Sequence, residues 1–490
     1  MFLFITKLPR PLFCVPYSTV LTDKNGSLAA AAIASDEQWR FPLHDSIPDK
    51  FIKAIVCFED KRFFNHPGID PFAITRAFKK NFSSGTIKSG ASTLSMQVIR
   101  LARCKKKRTV IEKCIEMYYA IQLEIFYSKK EILHLYAAHA PFGGNVVGLE
   151  TASWRYFGRS PNALSWAETC MLAVLPNAPS LIHLGKNRSL LLKKRNNLLK
   201  KLLDNSIISK ETWQLSTSEP LPPSPHPIPQ HIPHLLARYQ SPKATMPQHK
   251  KTHDILYKNN FAQTTIDLNI QKQAEAICSR HHHHLAGNNI NNIAALILDI
   301  KKNTVLAYIG NVKDSLVNNS YFVDCIAAPR STGSALKPFL YCAMNYTGQL
   351  IPSQIIFDIP TRIAGFAPRN YTRTFEGAVP ASAALAKSLN VPAVRMLYDY
   401  GVDRFYGDLK KTGLTTLTRK ASEYGLSLIL GGAEGTLWDL TSAFAGMART
   451  VNAYFDSTID KGDYLYEHPA YLQDYDSDHS SNGEICQDNP

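Results

Sequence analysis

The run Glu219-Pro220-Leu221-Pro222-Pro223-Ser224-Pro225-His226-Pro227-Ile228-Pro229 limits what this chain can become more than any other stretch. Proline fixes φ and offers no N–H, so neither a helix nor a central strand passes through it, and an extended connector is expected. The patterning differs on its two sides. Upstream, residues 50 to 205 read as mostly helical. Ile111, Ile115, Tyr118, Tyr119 and Leu123 fall on one helical face, and Ser128 with Glu131 before Ile132-Leu133 has the form of a capping box. A second start signal, Ser165 to Glu168, opens the apolar run Thr169 to Leu175, which Pro176 should stop. Downstream, Thr264 to Leu268 and Ala294 to Asp299 look like strands, the latter followed by a Lys301-Lys302-Asn303 turn and a partner strand, Thr304 to Ile309. The last helix signal is Trp438 to Val451. These boundaries divide the chain into an N-terminal segment (1–44), a helical domain (45–205), a Pro-rich linker (206–262), a mixed α and β domain (263–455), and a tail (456–490). From Asp474 onward that tail is acidic, polar and expected to be disordered.

At 490 residues the chain is too long for one ordinary core. Its hydrophobic content of 45% and mean hydropathy of −0.17 belong to a globular body. The net charge of +15 implies an anionic partner, whether nucleic acid, phospholipid surface or phosphorylated substrate. Nine scattered cysteines without a C-x-x-C pair form neither a disulfide scaffold nor a zinc ribbon, and all nine are expected as buried or idle thiols. The apolar start Met1 to Thr6 is broken by Lys7, Pro9, Arg10 and Pro11 well short of the ~20 residues a membrane span needs, and no basic segment precedes it as in an export signal. The run His281 to His284 is expected as a solvated helix end, so no residue is assigned to a metal.

Two groups of residues carry chemistry. In the helical half, Glu59 and Asp60 follow the apolar run Phe51 to Phe58, whose end brings Glu59 to the edge of a core. Partial burial there raises a carboxylate pKa toward use as a general base. Lys113 lies one turn before Glu116, and a surface ion pair is the plain alternative to a catalytic role. Gly90 to Gln97 reads as a loop turning into a helix with Ser92 or Thr93 as cap, and such hydroxyls and amides also suit a phosphate. In the second half, Ser334 and Lys337 stand one turn apart at a helix start, where a desolvated lysine would activate the hydroxyl. Ser388-Leu389-Asn390 supplies a hydroxyl and an amide for a proton path. Helix-start polar residues are the alternative reading for both.

Taken together and in order, the first group resembles the peptidoglycan glycosyltransferase domain (family 51) of class A penicillin-binding proteins. Glu59, Asp60, Phe63, His66 and Gly68 match its first motif, and Gly90 to Gln97 match the second with Ala91 and Ser95 as departures. Lys113 and Glu116 match the third. The fourth appears in Leu135-Tyr136, Gly143-Gly144-Asn145 and Tyr156-Phe157-Gly158, and the fifth in Leu164 to Glu168 with Pro176 and Pro179. The second group resembles the transpeptidase domain of the same proteins, and Arg330 to Tyr341 looks most like the 1C subgroup. A Lys-Thr/Ser-Gly strand motif should follow. Lys411-Thr412-Gly413 has those letters but falls in a helix-then-turn segment, so it is rejected.

The resemblance implies a lysozyme-like, mostly α glycosyltransferase domain followed by an incomplete α+β penicillin-binding transpeptidase domain. It implies Glu59 as base toward lipid II, with Lys113 and Glu116 assisting departure of the lipid pyrophosphate. Asp60, Phe63, His66, Ser92, Thr93, Gln97, Ser388 and Asn390 would line substrate. It also implies a nascent glycan strand and an anionic membrane surface as partners, with Arg100, Arg103, Lys105, Lys106, Lys107 and Arg108 facing phosphate or headgroups. β-Lactams would bind only if the serine site is intact, no nucleic acid is expected, and no cofactor motif is visible, although a divalent cation such as Mg2+ at the pyrophosphate is a family possibility. It implies the outer face of the bacterial inner membrane as the place of action. Two competing readings are a lysozyme-like glycan hydrolase and a non-catalytic cell-wall interaction protein.

Overall fold

The computed structural model describes residues 8–42, 46–76, 92–103, 109–177, 187–241, 260–313, 321–363, 365–455 and 466–473. The first large core is helical. Helix α1 (Asp49–Glu59) buries Phe51, Ala54, Ile55 and Cys57, the spacing of one helical face. Around it pack α2 (Leu94–Ala102), α3 (Val110–Phe126), α4 (Lys129–His139), α5 (Leu149–Phe157), α6 (Trp166–Val174) and α7 (Arg188–Asp204), enclosing Leu94, Leu123, Tyr136, Met171 and Leu198 among others. The expected capping boxes are present: Ser128 with Glu131 opens α4, and Ser165 with Glu168 opens α6. Pro176 then lies in a single 3-10 turn, Leu175–Asn177.

The N-terminal segment is structured. Strand β1 (Thr19–Thr22) pairs antiparallel with β2 (Leu28–Ala32), and β3 (Trp39–Arg40) joins β4 (Pro141–Gly143) and β5 (Val146–Val147) in a small sheet, order β3-β5-β4. The other side of β1 pairs in parallel with β6 (Phe261–Gln263). This three-stranded sheet therefore draws together residues more than 200 positions apart in sequence. The strand expected at Thr264 to Leu268 lies three residues earlier, because Asp267 instead caps the helix α10 (Leu268–Ala286) by accepting from the N–H groups of Asn269 and Ile270. Cys14 is disulfide-bonded, unlike the idle thiol expected.

The segment expected as linker holds two helices, α8 (Lys210–Ser218) and α9 (Pro233–Gln240). The proline run between them lacks helix and strand, and it is fastened to α7. The buried Arg195 guanidinium donates to the Glu219 carbonyl at 2.7 Å, and Arg188 donates to the Pro222 carbonyl at 2.9 Å. Beyond α10 (Leu268–Ala286), strands β7 (Ala295–Asp299) and β8 (Thr304–Ile309) form the expected hairpin. Helices α11 (Lys337–Tyr346), α12 (Ala381–Ala386), α13 (Asn390–Tyr400), α14 (Val402–Lys411) and α15 (Leu437–Phe455) follow. Between them lie the strand pairs β9 (Arg330–Ser331) with β12 (Glu434–Gly435) and β10 (Ile355–Asp358) with β11 (Gly377–Pro380). Part of the tail is ordered: Ala470 bridges Thr304, Leu472 bridges Thr264, and Tyr471 is buried beside Trp438. The acidic stretch from Asp474 lies outside the described residues. Among the described residues, no helix is long and apolar enough to cross a membrane.

Candidate active site

Glu59 ends α1, half-buried at the edge of the helical core. Burial pushes its pKa above the usual 4.5, opposed by two donors: Gln97 Nε2 at 2.8 Å from one oxygen and Asn177 Nδ2 at 3.4 Å from the other. Lys194 Nζ donates to Asn177 Oδ1 at 2.9 Å, so the amide that orients the carboxylate is itself held. Tyr136 is fully buried nearby. Its hydroxyl has no hydrogen-bond partner among the described residues, and burial, reinforced by Glu59, pushes its ionisation well up.

Asp60 does a different job from its neighbour. Its buried carboxylate accepts from His66 Nε2 at 3.0 Å and from the Leu94 N–H at 3.1 Å, joining the end of α1 to the start of α2. His66 Nδ1 accepts from the Gly68 N–H at 3.2 Å, so the bonding pattern calls for the tautomer with hydrogen on Nε2. Gly68 adopts φ +92°, and a Cβ there would stand 2.4 Å from the Ala120 carbonyl oxygen of α3. Only glycine permits this approach. The Gly68 carbonyl accepts from Thr93 Oγ1 at 2.6 Å, and Thr93 in turn caps α2 through the Met96 N–H. Phe63 is buried beneath Lys129, whose Nζ lies 4.4 Å from the ring centroid and donates to the His66 carbonyl at 2.7 Å. Asp60, Phe63, His66 and Thr93 thus brace one another.

The pairing expected between Lys113 and Glu116 is replaced by another. Glu116 is buried and accepts both arms of Arg100, at 2.7 Å from Nε and 2.6 Å from Nη2. Lys113 stands exposed one turn earlier and makes no ion pair among the described residues. Arg100 Nη2 also donates to Ser92 Oγ at 3.3 Å. Gln97 and Arg100 sit one turn apart on α2, so one helix face presents an amide to Glu59 and a guanidinium to Glu116. Arg103 pairs with Glu112. Ala91, Lys105 to Arg108 and Pro179 lie outside the described residues.

Among the described residues, no group of three or more carboxylates, histidines or cysteines is arranged to hold a metal ion by itself. Both Glu116 oxygens are spent on Arg100 and the Asp60 carboxylate on His66 and Leu94, leaving Glu59 as the one carboxylate of the set without a cationic or buried N–H partner of that kind. Magnesium is usually held by one or two carboxylates together with substrate phosphates and water, so a cation arriving with a pyrophosphate would find Glu59 as the available carboxylate.

In the second half, Lys337 is buried at the first turn of α11. Its Nζ donates to the Ser388 carbonyl at 2.7 Å, Ser388 Oγ at 3.2 Å and Asn390 Oδ1 at 2.8 Å. Burial brings its pKa down to about 8. Ser388 takes a left-handed φ of +52°, which turns its carbonyl and hydroxyl together onto the amine. Two residues that sequence reasoning missed hold this turn. Asn370 Oδ1 accepts from the Asn390 N–H at 2.8 Å, and its amide donates to the fully buried Asp358 carboxylate at 2.8 and 2.9 Å. Ser334 is exposed, and the structure records no bond from Lys337 Nζ to its Oγ among the described residues. Lys411 to Gly413 lie at the end of α14 and in its cap, not on a strand, as expected.

Comparison with known proteins covers both halves. The Transglycosylase family model matches residues 25–203, and the Penicillin binding protein transpeptidase domain model matches residues 293–426. Penicillin-binding protein 1C of Escherichia coli (strain K12) is 34% identical over 90% of this chain and 55% of its own length. Penicillin-binding protein 1B of Haemophilus influenzae is 26% identical over 94% of this chain and 61% of its own. The chain therefore spans less than two thirds of either relative.

Proposed function

This chain belongs to the class A penicillin-binding proteins, of the 1C type, and on that basis we propose that its helical half polymerises lipid II into glycan. The observation that carries the reading is Glu59: a carboxylate of raised pKa, steered by Gln97 and Asn177, beside an arginine locked on a second carboxylate. In its ionised form Glu59 takes the proton from the attacking sugar hydroxyl. Arg100, fixed by Glu116, is the cation presented to the departing pyrophosphate, with Ser92 alongside. Glu116 acts through Arg100 and takes no proton itself.

The donor's lipid places this domain at a membrane. Val110, Ile111, Ile125 and Phe126 are exposed apolar side chains on α3, and Phe72 is a further one nearby in the first half. With the chain's net charge of +15, they suit an anionic membrane face at the outer side of the inner membrane. The Cys14 disulfide fits that oxidising compartment. For the second half we infer that Ser334 is not acylated in this chain. Lys337 Nζ is engaged by Ser388 and Asn390 and makes no bond to Ser334 Oγ among the described residues.

One experiment addresses both halves. Purified chain given lipid II in detergent should release the pyrophosphate carrier and build polymer, and Glu59→Gln should abolish this. The same preparation should take up no fluorescent penicillin at Ser334. Cleavage of finished glycan, or full turnover by Glu59→Gln, would overturn the polymerase reading, and a covalent Ser334 adduct would overturn the other.

A further inference from the structure

The β2-β1-β6 sheet has two faces with different duties. Leu21, Ala30 and Ala262 point into the core shared with α9, Tyr308 and Trp438. The alternate residues, Val20 and Thr22 of β1 with their partners Phe261 and Gln263 of β6, line a pocket instead. Its far wall is Glu150 and Trp154 of α5. The pocket measures about 180 Å³, below the ~300–1,000 Å³ of drug-sized sites, so it accepts one ring and not a long segment. Thr22 is buried at its floor, and its hydroxyl has no hydrogen-bond partner among the described residues. Such an orphaned group calls for a ligand atom or water. Glu150 is oriented by the Trp154 indole N–H at 3.0 Å, and the Gln263 amide by donation to the Lys24 carbonyl at 3.0 Å. With the amide nitrogen so engaged, the Gln263 side-chain oxygen is the atom left to accept.

We propose that this pocket, made by the N-terminal strands, α5 and β6, binds one sugar ring of a peptidoglycan-type glycan. The aromatic rings of Trp154 and Phe261 meet the apolar face of a pyranose. The Glu150 carboxylate and Gln263 carbonyl accept from ring hydroxyls or an acetamido N–H, and the Thr22 hydroxyl completes the set. An ammonium group would use Glu150 and the rings but leave Thr22 and Gln263 idle. The choice of glycan rests on the polymerase reading of the helical half, whose product is such a strand. Because the walls come from residues 20–42, 150–154 and 261–263, an occupied pocket fastens both halves of the chain to the strand.

The test uses the full chain carrying Glu59→Gln and a peptide-free tetrasaccharide of alternating N-acetylglucosamine and N-acetylmuramic acid. Adding it should slow amide exchange in residues 19–22, 149–157 and 261–263. Thr22→Val and Glu150→Gln should each weaken binding about tenfold, the scale of one lost polar contact. On the Glu59 background, neither substitution should change lipid II turnover, so this proposal and the polymerase reading fail separately. Thr22→Val keeps the β-branched shape and removes only the orphaned hydroxyl, so it should fold as well as or better than the parent. Unchanged affinity in both variants, protection confined to residues 94–126, or equal competition by lysine methyl ester would overturn the proposal.

Discussion

Removing the Arg100 guanidinium should loosen the site more than removing the carboxylate it holds, and removing both should cost less than the sum. The Glu116 side chain is 8% exposed and the Arg100 side chain 35%, with two bonds of 2.6 and 2.7 Å between them. Arg100→Ala leaves a buried carboxylate without its donors. Breaking a buried pair costs ~3–5 kcal/mol, and water reaching the half-open arginine side brings this toward the lower end, about 3 kcal/mol. Glu116→Gln leaves a guanidinium that re-solvates and still has one acceptor, at a cost of about 1 kcal/mol. In the double variant a neutral amide replaces the buried charge, so about 2 kcal/mol of coupling is expected where independent sites agree within ~0.5 kcal/mol. Global unfolding of a chain with several cores is not one transition, so the measurement is amide exchange on peptides covering 94–103 and 109–126. Arg100→Ala should lower protection there on the order of a hundredfold, and adding Glu116→Gln should restore part of it. Strictly additive effects would refute the buried pair and return Glu116 to Lys113.

The Glu59 donors make a pH prediction. Burial holds its pKa above 4.5, and the ionised form is the base, so turnover should fall with acid at a pH higher than an ordinary glutamate would give. Gln97 donates to the carboxylate and favours its ionised form; Gln97→Leu should therefore shift the acid limb of the lipid II pH–rate profile to still higher pH. A limb that stays put would mean that Gln97 does not bond to Glu59 during turnover. Gly68→Ala meets the Ala120 carbonyl at 2.4 Å and forces an L-residue to φ +92°, so a loss of about 2–4 kcal/mol is expected. Exchange in residues 110–126 reads it, and native protection there would show that the loop yields without strain.

What was legible in the sequence was what local spacing controls. The capping serines, the β7–β8 hairpin and the placing of Glu59 at the edge of a core all depend on residues within a turn or two of each other. The Arg100–Glu116 pair does not, because it joins two different helices, and the in-helix Lys113 was the only partner that spacing suggested. The same limit hid Asn177 and Lys194 behind Glu59 and Asn370 and Asp358 behind Asn390, since a cap supplied from 20 residues away carries no periodic signal. The β1–β6 pairing is the extreme case. Its strands are three or four residues long and some 240 apart, too short to announce themselves and too distant to be matched by eye. Yet that pairing bears on function, because it closes the N-terminal strands over the proline run and brings α5 within reach of β6. A proline connector read alone suggests two halves free to move. Fastened by Arg188 and Arg195 and spanned by a sheet, it becomes a fixed joint, and a fixed joint can build a pocket where a tether cannot.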